Sequence, residues 1–184
     1  MTPPLYPPAA AQTATPADNG YAGWTCPPKL AQAATILPTA GLLTLARIRV
    51  FTTLVTNVHM HITVGGGTLT ANQCLAGLFT KAGVLLAATG NQATNWQSGG
   101  IQNMALTAPQ TVTYGDFVYV GFYANGSTMP TFTRALNSSS AIANAGLAAP
   151  AFDHASADAG LTTAFPATFG VQTGTATAYW VAVS

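Results

Sequence analysis

Apolar and polar side chains alternate along several short segments of the chain, which is the repeat of a half-buried β-strand. The clearest case is the segment 55–64, in which Met60 and Ile62 alternate with His59 and His61. Because alternate side chains of a strand point to opposite faces, this pattern predicts a strand with both histidines on one face and the aliphatic side chains on the other.

Comparable patterns predict further strands at residues 42–50, 75–80, 84–89, 101–108, 117–123, 131–135 and 178–183. The strand at 117–123 is apolar on both faces, which predicts a central strand that is covered on two sides. Lys81, Ala82 and Gly83 predict a three-residue hairpin loop with glycine where a positive φ is needed. Short strands, frequent turn signals and no long helical repeat predict an all-β antiparallel sandwich or barrel.

The first 40 residues differ from the rest, because they contain eight of the twelve prolines. Proline fixes φ and lacks an amide donor, so neither a helix nor a central strand is expected there. We predict an extended arm over residues 1–40 and a β-sandwich domain over residues 41–184. Tyr6, Tyr21 and Trp24 are spaced along the arm and are its predicted anchors, either on its own domain or on a neighbour.

Charged side chains are scarce, with five Lys and Arg, four Asp, no Glu and a formal net charge of +1. A monomer of this mass exposes roughly 8,300 Å², so there is only one charged side chain for roughly every 900 Å² of surface. This favours a subunit of an assembly whose neighbours cover part of the surface; the alternative is a monomer from a high-GC genome. The absence of a basic run argues against nucleic-acid binding.

No stretch reaches the roughly 18 apolar residues that span a membrane, so no membrane insertion is expected. The first ten residues lack the basic start and apolar run of a signal peptide. Cys26 and Cys74 could form one disulfide or remain two free thiols. Free thiols are the expectation, because a chain made without secretion meets a reducing environment.

His59 and His61 are the pair best spaced to bind a metal ion, because both imidazoles project from one face of the predicted strand. Two ligands are too few for a site, so His154 or copies around a three-fold axis would have to supply more. The alternative is two polar side chains on a solvated or subunit-facing surface. We predict no metal and no other cofactor.

No arrangement of side chains indicates an enzyme. Asp153 and His154 lie near Ser156, but sequence neighbours do not make a catalytic triad, and no Gly-x-Ser-x-Gly turn is present. Four Asp without Glu offer few carboxylate pairs for glycoside cleavage. Asp116 follows Gly115, where a turn residue that accepts hydrogen bonds from backbone amides is the simpler interpretation. We expect no catalytic residues.

Three side chains are candidates for surface contacts with a glycan: Trp96, Tyr123 and Asn125. Trp96 lies in the polar stretch 90–100, where an indole could stack on a sugar or could close one end of the sandwich as a core plug. The plug is the favoured interpretation.

The segment 74–134 resembles modules in tail-fibre, minor-tail and other virion-surface proteins of tailed phages, especially those that infect high-GC actinobacteria. The matching features are Ala76-Gly77-Leu78-Phe79, Gly83, Leu85-Leu86-Ala87, Trp96, Leu106-Thr107-Ala108-Pro109, Gly115, Pro130 and Phe132. The resemblance covers about a third of the chain. It implies a jelly-roll-like sandwich that is usually trimeric, and it carries no catalytic residues. Some phage fibre and spike tips bind iron through a His-x-His pair at the trimer axis, a spacing that His59 and His61 match.

These features together predict a structural virion-surface protein of a tailed bacteriophage, either a tail-fibre or minor-tail subunit or a capsid decoration subunit. It would be a homotrimer, assembled in the host cytoplasm, whose arm docks to other virion proteins while the sandwich projects outward. The alternative is a carbohydrate-binding module or receptor adhesin that contacts host cell-wall glycan.

Overall fold

The computed structural model describes residues 14–33, 37–135 and 140–184. Two antiparallel β-sheets pack against each other through a shared apolar core. The predicted all-β sandwich is therefore confirmed, and the finer jelly-roll designation stays a prediction. Tyr6 lies outside the described residues.

Eleven strands are described: β1 (Gly23–Trp24), β2 (Thr44–Arg49), β3 (Leu54–Val64), β4 (Leu75–Thr80), β5 (Leu85–Ala88), β6 (Gly100–Thr111), β7 (Phe117–Tyr123), β8 (Thr131–Phe132), β9 (His154–Ser156), β10 (Thr173–Gly174) and β11 (Val181–Val183). The helical elements are one α-helical turn, α1 (Ser140–Ala143), and 3₁₀ turns at Pro16–Asn19, Pro28–Leu30 and Asn95–Gln97. In the described ranges, no helix has the length and apolar character needed to cross a membrane.

The first sheet has the order β1-β11-β3-β6, with β8 also paired to β3. The second sheet has the order β10-β9-β2-β7-β4-β5. β7 lies between β2 and β4, as its two apolar faces predict. The short strands β1, β9 and β10 are not evident from the sequence, because two or three residues are too few to show an alternating pattern.

The core between the sheets is built from the inward side chains of both sheets. Met60, Ile62 and Phe132 of the first sheet meet Leu78 and Phe122 of the second, and all five are fully buried. Fully burying such a side chain contributes roughly 1.5–3 kcal/mol relative to leaving it exposed. This interface fixes the inward face of each sheet.

The second sheet is covered on its other face as well. Phe165 and Phe169, which follow β9 in the chain, pack edge-on or tilted against Phe79, with ring centroids 5.4 and 5.5 Å away. Tyr119 and Tyr123 belong to the same layer. The second sheet is therefore buried on both faces, which explains why β7 has apolar side chains in both directions.

β6 runs through Pro109 to Thr111, beyond the predicted end of the strand. Its pairing with β3 shifts register, since Val55 lies opposite Gln110 and Asn57 opposite Ala105. The residues in between, 106–109, have no register partner on β3, so Pro109 sits in an irregular stretch where its missing amide costs little.

Most of the described part of the predicted arm packs on its own sandwich. β1 pairs with β11, and the Ala22 amide donates a hydrogen bond to the Val183 carbonyl at 2.7 Å. Further along, Gln32 and Arg134 exchange backbone hydrogen bonds. Residues 22–32 are thus part of the domain that the sequence analysis placed after residue 40, and docking of the arm to other virion proteins stays a prediction.

Two turns, the β4–β5 hairpin and the turn at Asp116, have the features that their sequences predict. Gly83 has a φ of 90°, so the glycine supplies the left-handed conformation that the β4–β5 hairpin needs. The Asp116 carboxylate accepts a hydrogen bond from the Phe117 amide at 2.9 Å and also binds the Lys81 ammonium at 2.9 Å. The two turns are therefore tied to each other at one end of the second sheet.

Candidate functional site

A groove of about 360 Å³ lies on the outer face of the first sheet, where residues 19–33 cross it. We define the outer face as the side chains of β3 and β6 that point away from the core. They are Asn57, His59, His61, Thr63, Ile101, Asn103 and Ala105. The groove is mainly apolar, and the residues that line it include Tyr21, Pro28, Ile101 and Trp180.

The sheet register fixes the floor of the groove. His61 of β3 lies directly opposite Ile101 of β6. The His61 Nδ1 and Thr133 Oγ1 atoms are 2.6 Å apart, which holds the imidazole against the strand. Ile101 is 60% exposed, an unusual environment for a branched aliphatic side chain on a sheet face. The groove therefore presents uncovered apolar surface beside a fixed polar ring.

Tyr21, which lines this groove, is the centre of an aromatic cluster. Its ring makes edge contacts with His59, Trp180 and Trp24, at centroid distances of 5.0, 5.8 and 6.4 Å. The Trp180 indole donates a hydrogen bond to the Cys26 carbonyl at 3.1 Å. Tyr21 and Trp24 therefore anchor the N-terminal segment on its own sheet.

The two strand histidines are held by different partners. The His59 Nε2 and Ser184 Oγ atoms are 2.8 Å apart, whereas His61 bonds to Thr133. Burial lowers the pKa of His59 below its usual value, which favours the neutral imidazole. Within the part of the chain that the structure describes, no three His, Cys, Asp or Glu side chains gather as a metal site would require.

The structure corrects two of the three predicted glycan contacts, because Trp96 and Tyr123 are fully buried. The Trp96 indole lies at 3.3 Å from the Met104 sulfur and packs edge-on against Phe132, so it is the core plug. The Tyr123 hydroxyl donates to the Thr162 carbonyl at 2.8 Å, and desolvation raises its pKa to about 12.

The third candidate, Asn125, is half-buried, and its amide donates to the Leu161 carbonyl at 2.7 Å. The polar neighbours of Trp96 are what make it a surface candidate in the sequence, and its full burial agrees with the favoured interpretation as a core plug. The 3₁₀ turn Asn95–Gln97 places the Trp96 indole beneath that polar stretch. The spacing of the neighbouring residues is the only sequence signal that could have indicated this burial.

Every aspartate of the described chain is tied to a structural partner. Asp18 accepts from the Thr15 amide, and Asp158 accepts from the Gly170 amide. Asp153 pairs with Arg47 at 3.5 Å, and desolvation raises its pKa although the guanidinium opposes the shift. Asp116 binds Lys81 and the Phe117 amide as described above. These carboxylates serve as backbone caps and ion pairs.

His154 occupies the second sheet rather than the outer face of the first. Its backbone amide and carbonyl both bond to the Asn144 side chain, at 2.9 Å each. The imidazole Nδ1 atom is buried and has no hydrogen-bond partner among the described residues. Desolvation lowers the pKa of His154 to about 4, so the ring is neutral at pH 7. Asp153 pairs with Arg47.

Cys26 and Cys74 are free thiols. Compared with protein-family models, with curated proteins and with solved structures, the chain matches none.

The groove was missed by the sequence analysis, because it joins Tyr21 to Trp180 across almost the whole length of the chain. Its only sequence signals are the alternation along β3 and β6 and the aromatic residues of the proline-rich segment.

Proposed function

We propose that this protein is a structural subunit of a tailed-phage virion surface, a homotrimer in which neighbouring copies cover the outer face of the first sheet. The observation that carries the proposal is the lack of charge on that face. β3 and β6, the two longest strands, contain no Asp, Glu, Lys or Arg.

The outer face pairs His61 with Ile101, His59 with Asn103, and Asn57 with Ala105 along the register of the two strands. Residues 19–33 cover the β3 side of this face, whereas Ile101, Asn103 and Ala105 on β6 are exposed. Soluble domains usually intersperse charges over such sheet surfaces, since charges oppose association. A contact with another copy would remove the exposed apolar part from water.

The use of the acidic groups supports a structural role rather than a catalytic one. General acid–base catalysis most often uses a carboxyl or imidazole group that can reach a substrate. Here the four aspartates are engaged in caps and ion pairs, and His59 and His61 each bond to a hydroxyl. These contacts stabilise turns and strand edges.

The placement on a virion rests on the resemblance of segment 74–134 to virion-surface modules. That segment contains β4 to β8, and therefore forms much of the second sheet and part of the first. The proposal joins this resemblance to the charge-poor outer face.

Gold-labelled antibodies against this protein test its location on purified phage particles from an infected host. We expect gold at several symmetry-related positions on the particle surface. An antibody preparation preadsorbed with the pure protein is the control and should leave the particles unlabelled. Unlabelled particles, with the protein recovered only from the soluble fraction of the lysate, would contradict the proposal.

A matched pair of arginine substitutions tests the interface in solution. Ala105→Arg places a cation on the exposed outer face, whereas Ala82→Arg places the same cation in the exposed β4–β5 hairpin. We expect light scattering after size-exclusion chromatography to give a smaller assembly for Ala105→Arg alone, because burying an unpaired charge opposes association. Equal masses for both variants would argue against this face as the interface.

A further inference from the structure

We propose that the groove on the outer face binds the proline-rich N-terminal segment, residues 1–13, of a second copy of this chain. This inference rests on the proposed assembly of several copies and names the segment that links them. It assigns the groove a ligand class, an extended polyproline II segment.

The groove has the chemistry that such a ligand requires. Polyproline II segments dock into grooves lined by aromatic and apolar side chains, because proline rings pack on flat surfaces. Tyr21, Trp180, Pro28 and Ile101 provide these surfaces. A polyproline II backbone makes no internal hydrogen bonds, so its carbonyls need donors. The Gln32 side chain, which is exposed and lines the groove, offers an amide donor.

The N-terminal segment has the matching sequence. Residues 3–8 read Pro-Pro-Leu-Tyr-Pro-Pro, with Leu5 and Tyr6 between two proline pairs. Proline pre-organises the extended conformation, which reduces the entropy lost on binding. Residues 1–13 contain no Asp, Glu, Lys or Arg, and the groove lining contains none either. A segment without acidic side chains, Lys or Arg therefore meets a groove that also lacks them.

The path of the chain favours a second copy as the source of this segment. Thr15 is extended, with φ −85° and ψ 161°, as it enters the turn that leads to the groove residue Asn19. Residues 1–15 contain no Gly, Asn or Asp, the residues that most readily reverse a chain. In polyproline II conformation 13 residues reach about 40 Å, roughly the width of a domain of this size. The segment can therefore extend to a neighbouring groove.

Photo-crosslinking of the full chain tests the proposal. Tyr6 is replaced by a benzophenone amino acid, ordinary and nitrogen-15-labelled copies are mixed after dissociation and reassembly, and crosslinked peptides are mapped by mass spectrometry. We expect crosslinks to peptides that contain Tyr21 or Ile101, with about half of them joining one labelled to one unlabelled peptide. The same benzophenone at Tyr114, which is 64% exposed and lies outside the groove lining, should not label these peptides.

A pair of aspartate variants tests the groove itself. Ile101→Asp puts a charge into the groove, and Val171→Asp puts one at a site that is 87% exposed and outside the groove lining. We expect Ile101→Asp to lower the yield of groove crosslinks about tenfold, and Val171→Asp to leave it unchanged. Circular dichroism of both variants checks that each is folded.

The outcomes separate this inference from the proposed assembly. Crosslinks that map outside the groove, or that never join labelled to unlabelled copies, overturn the inference. If such a result comes from a chain that light scattering shows to be oligomeric, the assembly stands and only the docked segment is wrong. A monomeric chain without mixed pairs overturns both.

Discussion

The rings of Tyr21 and His59 meet edge to face, with their centroids 5.0 Å apart, and this contact joins the N-terminal segment to strand β3. His59 is only 7% exposed, and the Tyr21 ring that contacts it contributes to its shielding from water. The segment assigned to a docking arm is thus also a structural cover for its own sheet.

Removing this cover should destabilise the fold. Tyr21→Ala deletes three aromatic edge contacts from a half-buried position, so we expect a loss of about 2 kcal/mol in the free energy of unfolding. Tyr21→Phe retains the ring and should cost much less. Urea denaturation of both variants measures the difference, and equal stability of the alanine variant and the wild type would contradict the proposed cover.

Stability should fall as the solution becomes acidic. The pKa of His154 is about 4 in the folded chain, below the value of about 6.5 for an unfolded histidine. The unfolded state therefore binds a proton first, and stability that is complete above about pH 6.5 declines toward pH 4 by about 3 kcal/mol from this residue. The lowered pKa of His59 acts in the same direction.

Urea denaturation at a series of pH values checks this dependence. His154→Gln removes the titrating ring, and we expect its stability to vary less than that of the wild type between pH 6.5 and pH 4. If the variant and the wild type lose stability in parallel over this range, another group is responsible.

Trp96 should behave as a core residue and not as a sugar platform. Trp96→Ala removes a fully buried indole and should cost about 3–5 kcal/mol, whereas Trp96→Phe keeps part of the packing against Phe132. In a folded Trp24→Phe, Trp180→Phe variant, where Trp96 is the one remaining tryptophan, acrylamide should quench little of the fluorescence. If the folded Trp96→Phe variant lost retention on host cell-wall material that the wild type shows, the structural assignment would be wrong.

The free thiols should react at different rates. Cys74 is fully buried, Cys26 is half-buried, and burial raises the pKa of both thiols, which lowers their thiolate fraction. We expect a thiol reagent such as DTNB to modify Cys26 slowly and Cys74 only after unfolding in urea. Cys26→Ser isolates the slower thiol, and rapid reaction of that variant in the native state would disagree with the fold.

The sequence predicts the long strands well and the covering segments poorly. Alternation along β3 and the two apolar faces of β7 are visible because each strand is long enough to show its environment. Phe165 and Phe169 lie in an irregular segment, where no period indicates that they cover the second sheet. The groove depends on a contact between Tyr21 and Trp180, which only the sheet order brings together.

Sedimentation equilibrium of the intact chain over a range of concentrations tests most directly whether copies cover the outer face of the first sheet. The proposed homotrimer predicts a mass near three times 18.7 kDa, about 56 kDa, with dissociation only on dilution. A mass that stays at 18.7 kDa up to high concentration would contradict the assembly.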